Sequence, residues 1–250
     1  MTPGDVVVAA STGNHGLAVA TAGQQFGLEV VIHVPSNIPA IKRDGIARTG
    51  ARVVAEHRDY DAAASAARRD VQRLGGRFIS GFDDPEIIAG HRSMFAEVEH
   101  QWGSVDVVVV PVGGGGLIAA ALGHYGESTR VVGVEWRDAP AMRMSLEAGR
   151  RVTLPVIRDA PVEGLLIRRV GAAPFRVCSK RAPQIELVDE TQIEQAMRSL
   201  WRHHEIRAEG AAAAALAGTL ALDVAAGTVL CIISGGNVDE KHFAQVLADC

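Results

Sequence analysis

The chain is poor in aromatics, lysine, cysteine and long apolar runs, and each shortage excludes something. Phe, Trp and Tyr together make up 4% of the 250 residues, so the core must be built from Val, Ala, Leu and Ile. Three cysteines (Cys178, Cys231, Cys250) are too few, odd in number and too widely spread for a disulfide framework, and read as reduced thiols. No apolar run approaches the ~18 residues of a membrane span. The longest, Ala211 to Leu222, contains Gly218 and Thr219, is closed by Asp223, and reads as a buried helix. The N-terminus lacks the basic-then-apolar profile of a signal peptide, so a cytoplasmic location is expected. Neither sign of charge dominates: 25 basic against 29 acidic residues gives a net charge of −4. That balance offers no basic footprint for nucleic acid or an anionic membrane. Of the basic residues, only Lys42, Lys180 and Lys241 are lysines.

What is present is an alternation of short β-branched runs with helical stretches. Strands are expected over Asp5–Ala10, Glu29–Val34, Ala51–Ala55, Arg77–Ser80, Val105–Val112, Arg130–Val134 and Thr228–Ile233. Helices are expected over Asn14–Phe26, Ala40–Thr49, Asp59–Leu74, Pro85–Trp102, Gly116–His124, Asp138–Gly149, Thr191–His204, Glu209–Ala226 and Glu240–Ala248. Val152–Pro183, rich in Pro, Gly and Arg, reads mostly as loop, and the acidic strip Glu186–Glu194 as a solvated face. Such alternation implies parallel sheets and an α/β class. Val105–Val112 suits a central strand covered on both faces. Two open parallel-sheet domains are expected, a small one over 5–86 and a larger one over 87–250.

Three strand ends carry unusual turns, and open parallel sheets place ligands at such ends. The first is Ser11-Thr12-Gly13-Asn14-His15-Gly16, which opens a helix. It is either a plain capped turn or an anion site at a helix start. The second is Gly113-Gly114-Gly115-Gly116-Leu117. Four glycines in a row are costly to order, and the useful consequence is a set of unobstructed N–H groups suited to a phosphate. Tight backbone packing is the competing explanation. The third is Ser234-Gly235-Gly236-Asn237, where a serine could hydrogen-bond a ring nitrogen.

A rival reading is a nicotinamide dehydrogenase. Gly114-x-Gly116-x-x-Ala119 satisfies a permissive dinucleotide fingerprint, and Glu135 stands where an acid would hold a ribose. That reading leaves the other two turns without a role.

Taken in order, the three turns resemble those of the fold-type II pyridoxal-phosphate enzymes, in particular the threonine/serine dehydratase and serine racemase branch. Weaker matches extend over Lys42–Val54, Glu163–Gly171, Leu187–Met197 and Ala208–Gly218. The resemblance implies pyridoxal 5′-phosphate as cofactor, with its phosphate on Gly113, Gly114, Gly115, Gly116 and Leu117. It implies that Asn14 faces the pyridine oxygen and that Ser234 lies beside the ring nitrogen. Ser11, Thr12, Gly13, Asn14 and His15 would hold the substrate carboxylate. Thr12 and His15 are possible auxiliary groups for proton transfer, and His15 is the one histidine expected at the site. The implied reaction is β-elimination from a small β-hydroxy amino acid, giving a keto acid and ammonia. A homodimer is the implied assembly.

The chain departs from the family pattern at three places. The family's Schiff-base lysine lies in a segment ahead of the first turn, and Met1–Ala10 contains no lysine. None of Lys42, Lys180 or Lys241 matches it, and each reads as solvated. The chain therefore reads as N-terminally truncated and impaired as a lyase by itself. A misassigned start is favoured over a second polypeptide or a non-catalytic pseudo-enzyme or partner subunit. Thr12 stands where racemases of this group carry serine, which favours elimination. Glu135 and Ala139 match the family's cation site, but its second acid falls at Ala141, so no metal is expected.

Overall fold

The computed structural model describes residues 1–11, 13–156, 162–223 and 227–248. The chain divides into two compact units, Met1–Gly81 and Phe82–Cys250. The division falls ahead of the expected residue 86 because Phe82 and Asp83 pack within the second unit. A side chain on Gly114 would strike the Phe82 ring, and the Asp83 carboxylate accepts the Ala173 N–H at 2.8 Å.

The first unit is a four-stranded parallel sheet. Its strands are β1 (Val6–Ala10), β2 (Glu29–Pro35), β3 (Arg52–His57) and β4 (Arg77–Phe78), in the order β3-β2-β1-β4. Helices α1 (Asn14–Phe26), α2 (Ala40–Ala47) and α3 (Tyr60–Leu74) provide the crossovers. The period-two geometry of a strand sends alternate side chains to opposite faces. Ala9, Ile32 and Val34 pack with Ala20 and Ile46 on one side. Val8, Ala10 and Val31 pack with Ala63, Ala64 and Ala67 of α3 on the other. Asp59 starts α3 by accepting the Ala62 N–H at 2.8 Å, satisfying a donor that the first turn cannot pair itself.

The second unit opens with α4 (Pro85–Trp102), followed by β5 (Val107–Pro111), α5 (Gly116–Tyr125), β6 (Arg130–Trp136) and α6 (Ala141–Glu147). After a short 3-10 turn at Glu163–Leu165 come α7 (Ala172–Arg181), β7 (Gln184–Val188), α8 (Glu190–His204), α9 (Gly210–Ala221), β8 (Val229–Cys231) and α10 (Glu240–Ala248). The sheet is parallel, in the order β7-β6-β5-β8. Every residue of β5 is buried, as a strand covered on both faces requires. Each of its four valines contributes roughly 1.5–3 kcal/mol through burial. The Ala-rich α9 lies in the core, with Ala212, Ala213, Ala214 and Ala215 wholly inaccessible to solvent. No described helix is long and apolar enough to cross a membrane.

Two elements differ from the sequence expectation. The segment read as loop contains the ten-residue α7, whose Pro174 falls in the first turn, where no N–H is needed. The acidic strip read as a solvated face begins inside β7, with Ile185 and Val188 turned into the core. Its Asp189 and Gln192 then form a capping box for α8.

Candidate functional site

Both extended glycine-bearing turns follow the carboxyl end of a strand and open a helix, but they are held differently. In the first unit, Ser11 is 4% exposed and its Oγ accepts the N–H groups of Gly13 at 3.0 Å and Gly16 at 2.9 Å. The hydroxyl is thus an internal brace. Its own proton is still able to be donated. Asn14 is exposed at the first position of α1. His15 lies 3.0 Å from the Ile79 carbonyl through Nε2. A carbonyl only accepts, so Nε2 carries the proton and the ring is held in one tautomer. That arrangement orients His15. Thr12 lies outside the described residues.

Lys42 is the feature of this turn that sequence reading missed. It is half-buried, and a Cβ on Gly13 would meet its Cδ at 3.6 Å and its Nζ at 3.7 Å. The ammonium group therefore lies against the turn. Lys180 and Lys241 are exposed on α7 and α10, as expected of solvated lysines.

In the second unit, the turn Gly113–Gly116 is shaped by what surrounds it. A Cβ on Gly114 would sit 2.0 Å from Phe82 Cγ, and one on Gly113 would sit 2.6 Å from the Gly164 carbonyl oxygen. Gly115 has φ +93° and faces Met142 and Pro174, so both conformation and space require glycine. Tight packing, the competing explanation for these glycines, is therefore part of the structure. It does not exhaust it. From Gly113 to Leu117, no backbone N–H has an acceptor among the described residues, although Gly114, Gly115 and Gly116 are buried. Buried N–H groups are nearly always paired. A series of them at a helix N-terminus forms an anion cradle. These donors fit the phosphate of a bound cofactor.

Ser234 shares this edge of the sheet. Cys231 of β8 is paired with Val109 of β5, and Ser234 and Val112 each lie three residues further on. Ser234 is exposed there, at the end of the strand beside the one that carries the glycines. Observed β8 stops at Cys231, short of the expected Ile233.

Glu135 corrects the dehydrogenase reading. It is 1% exposed, and both its oxygens are used, accepting the N–H of Met142 at 2.7 Å and of Arg143 at 2.9 Å. The carboxylate caps α6, so it is not presented to a ribose. Burial pushes its pKa up to about 7, opposed by the two backbone N–H groups and the Arg143 charge. Burial, with a smaller contribution from Glu135, pushes the Cys178 thiol up to about 12. Cys178 is thus no nucleophile at neutral pH.

The pyridoxal-phosphate dependent enzyme family matches residues 1–235. The chain belongs to that family. Among its relatives, the biosynthetic L-threonine dehydratase of Mycobacterium leprae is 38% identical over 251 aligned positions, covering 96% of this chain and 58% of that protein. The L-threonine ammonia-lyase of Thermotoga maritima is 36% identical over 248 positions, covering 96% of this chain and 61% of that protein. The chain thus spans about three-fifths of the curated relatives it matches. Among solved structures, the processed form of threonine deaminase isoform 2 from Solanum lycopersicum superposes with a TM-score of 0.89 at 30% identity. That match covers 100% of this chain and 74% of the tomato protein. Maize serine racemase gives 0.89 at 26% identity, covering 99% of this chain and 77% of the maize protein. The pyridoxal-phosphate family is thus reached from the turns, the fold and the relatives alike. The cofactor of this family is pyridoxal phosphate, which agrees with the donor set at Gly113–Leu117.

Proposed function

We propose that the protein to which these residues belong is a pyridoxal-phosphate-dependent ammonia-lyase acting on a small β-hydroxy amino acid such as L-threonine or L-serine. The observation that carries this reading is the run of N–H groups at Gly113–Leu117, buried at Gly114–Gly116, without acceptors among the described residues, in a family whose cofactor bears a phosphate. The threonine dehydratase and ammonia-lyase relatives support the substrate class.

In this reading the backbone N–H groups of Gly113, Gly114, Gly115, Gly116 and Leu117 bind the phosphate. Ser234 would offer a neutral hydroxyl to the ring nitrogen, which would leave that nitrogen uncharged. By the family resemblance, Asn14 would donate to the ring oxygen and the Ser11–His15 turn would receive the substrate carboxylate. The Ser11 brace sets the shape of that turn, and the bond from His15 to Ile79 fixes the imidazole. The cofactor, when bound, supplies an electron sink for the carbanion formed next to the carboxylate. The residue that links the cofactor covalently is not one we assign among the three lysines here. Lys42 lies against the Ser11–Gly16 turn, and Lys180 and Lys241 are exposed. We accordingly propose that residues 1–250 alone bind the cofactor but turn over substrate poorly. The resemblance implies a homodimer, which sedimentation equilibrium checks.

The test pairs two measurements on the 250-residue chain. Equilibrium dialysis should show saturable binding of pyridoxal phosphate. Coupled assays of keto acid and ammonia from L-threonine should show only slow release. Absence of cofactor binding, or saturable NADH binding lost in Gly114→Val, would contradict the reading. Fast turnover would leave the ammonia-lyase reading standing and refute the impaired chain.

A further inference from the structure

A second polar cluster lies in the first unit, on the face of the sheet that α3 covers, and its His33 accepts the Ser11 N–H through the backbone carbonyl at 3.1 Å. It surrounds a cleft of about 550 Å³ lined by residues of β2, β3 and α3. His33 is 3% exposed, on the same face of β2 as Val31. Its Nε2 lies 3.1 Å from Asp70 Oδ2, and its Nδ1 lies 2.9 Å from Nε2 of His57. A register shift between His33 and Pro35 accompanies the pairing that places His57 opposite Pro35.

The protons in this chain of bonds can be assigned. Asp70 only accepts, so His33 carries its proton on Nε2. With His33 neutral, its Nδ1 must accept, and His57 must donate through Nε2. His57 then presents Nδ1 as a lone pair, with no hydrogen bond to it among the described residues. A proton added at that nitrogen leaves every bond of the chain intact. A second proton on the pair would set two N–H groups against each other.

Around this relay stand three guanidinium groups. Arg52 approaches Asp70 at 3.5 Å and Arg73 approaches it at 3.1 Å. Arg69 lines the cleft with no carboxylate partner among the described residues. The opposing acids are Asp70 and Glu56. The lining carries a net charge of +1 with the imidazoles neutral and +2 with one proton on the pair. Among the described residues no group of His, Cys, Asp and Glu suits a metal ion.

We propose that this cleft binds a phosphate-class oxyanion, held by Arg52, Arg69 and Arg73, and that binding is coupled to proton uptake at His57. The volume is in the range of small-ligand pockets, so the anion can carry an organic portion. Charge-assisted bonds from guanidinium forks are suited to such a group. The charged groups facing the imidazoles are Asp70, Arg69 and Arg73 from α3 and Arg52 and Glu56 from β3. Burial pulls His33 below the ordinary imidazole range, with Asp70 opposing and His57 lowering it further.

Sulfate is the probe, because its charge stays constant over the histidine range. Calorimetric titration of the chain at low salt should show saturable binding that tightens as pH falls from about 8.5 to about 5.5, with uptake of up to one proton. Arg69→Gln, which removes an exposed side chain, should weaken sulfate about ten-fold with unchanged thermal stability. His57→Gln should flatten the pH dependence and leave the affinity near pH 8.5 unchanged. Absence of saturable binding below about 10 mM, an Arg69→Gln variant that binds like wild type, or a His57→Gln variant with the wild-type pH profile would each overturn the proposal. Phosphate can then be compared with phosphate monoesters to show whether the organic portion adds affinity.

Discussion

The two glycine-bearing turns solve the same problem by opposite means. At Ser11–Gly16 a side chain holds the backbone, because one buried hydroxyl accepts two N–H groups. At Gly113–Gly116 the absence of side chains holds it: Phe82, Gly164, Met142 and Pro174 occupy the positions where Cβ atoms would stand. The first arrangement uses the Gly13 and Gly16 donors internally. The second leaves a row of donors without acceptors among the described residues. A turn that must surround a phosphate with backbone donors needs the second arrangement. A turn that must set side chains at a helix start can use the first.

The largest effect is expected from breaking the second turn. Gly114→Val would force the Phe82 ring aside and overpack the cup, costing about 3 kcal/mol. Denaturant titration should show that loss, together with loss of pyridoxal phosphate in dialysis. Ser11→Ala breaks the first turn by leaving two donors unpaired, at about 2 kcal/mol. Cofactor retention at the glycines should survive it, which separates the two devices.

Glu135 sharpens the contrast from the strand beside the cup. Its pKa in the folded protein, about 7, exceeds the ordinary 4.5, so folding takes up a proton between those values. Stability contributed at this site is therefore greatest below pH 4.5 and falls as pH rises toward 7. The slope approaches about 1.4 kcal/mol per pH unit within that window. Glu135→Gln should flatten this part of the profile in denaturant midpoints measured at several pH values. The smallest effect belongs to Lys180→Gln, an exposed position on α7, expected within about 0.5 kcal/mol of wild type.

Much of this was legible in the sequence, for identifiable reasons. Helices α1 and α4 fall at their expected limits because Gly13 and Asp84 precede them and Gly27 and Gly103 follow. The glycine turns were visible because they sit between a Val-rich strand and an apolar helix. Strand β7 was hidden because it is an edge strand whose Gln184 and Glu186 face outward, diluting the apolar signal. The role of Lys42 was hidden because it depends on a contact between two helices' starts, which local charge patterning does not carry. The His33–His57–Asp70 relay joins three elements and leaves no trace in any one of them. The capping role of Glu135 was hidden, and its position matched only a rival ribose site and an incomplete cation site, because a sequence cannot show that the next helix turns its N–H groups onto the acid.

The central claim is that the bare N–H groups of Gly113–Leu117 hold a phosphate. Its most direct test compares pyridoxal 5′-phosphate with pyridoxal in equilibrium dialysis against the 250-residue chain, with inorganic phosphate as competitor. The claim predicts that the phosphorylated compound binds at least about a hundred-fold more tightly, roughly 2.7 kcal/mol, that phosphate competes, and that Gly114→Val abolishes the difference. Equal binding of the two compounds, or a preference that survives Gly114→Val in a folded protein, would contradict it.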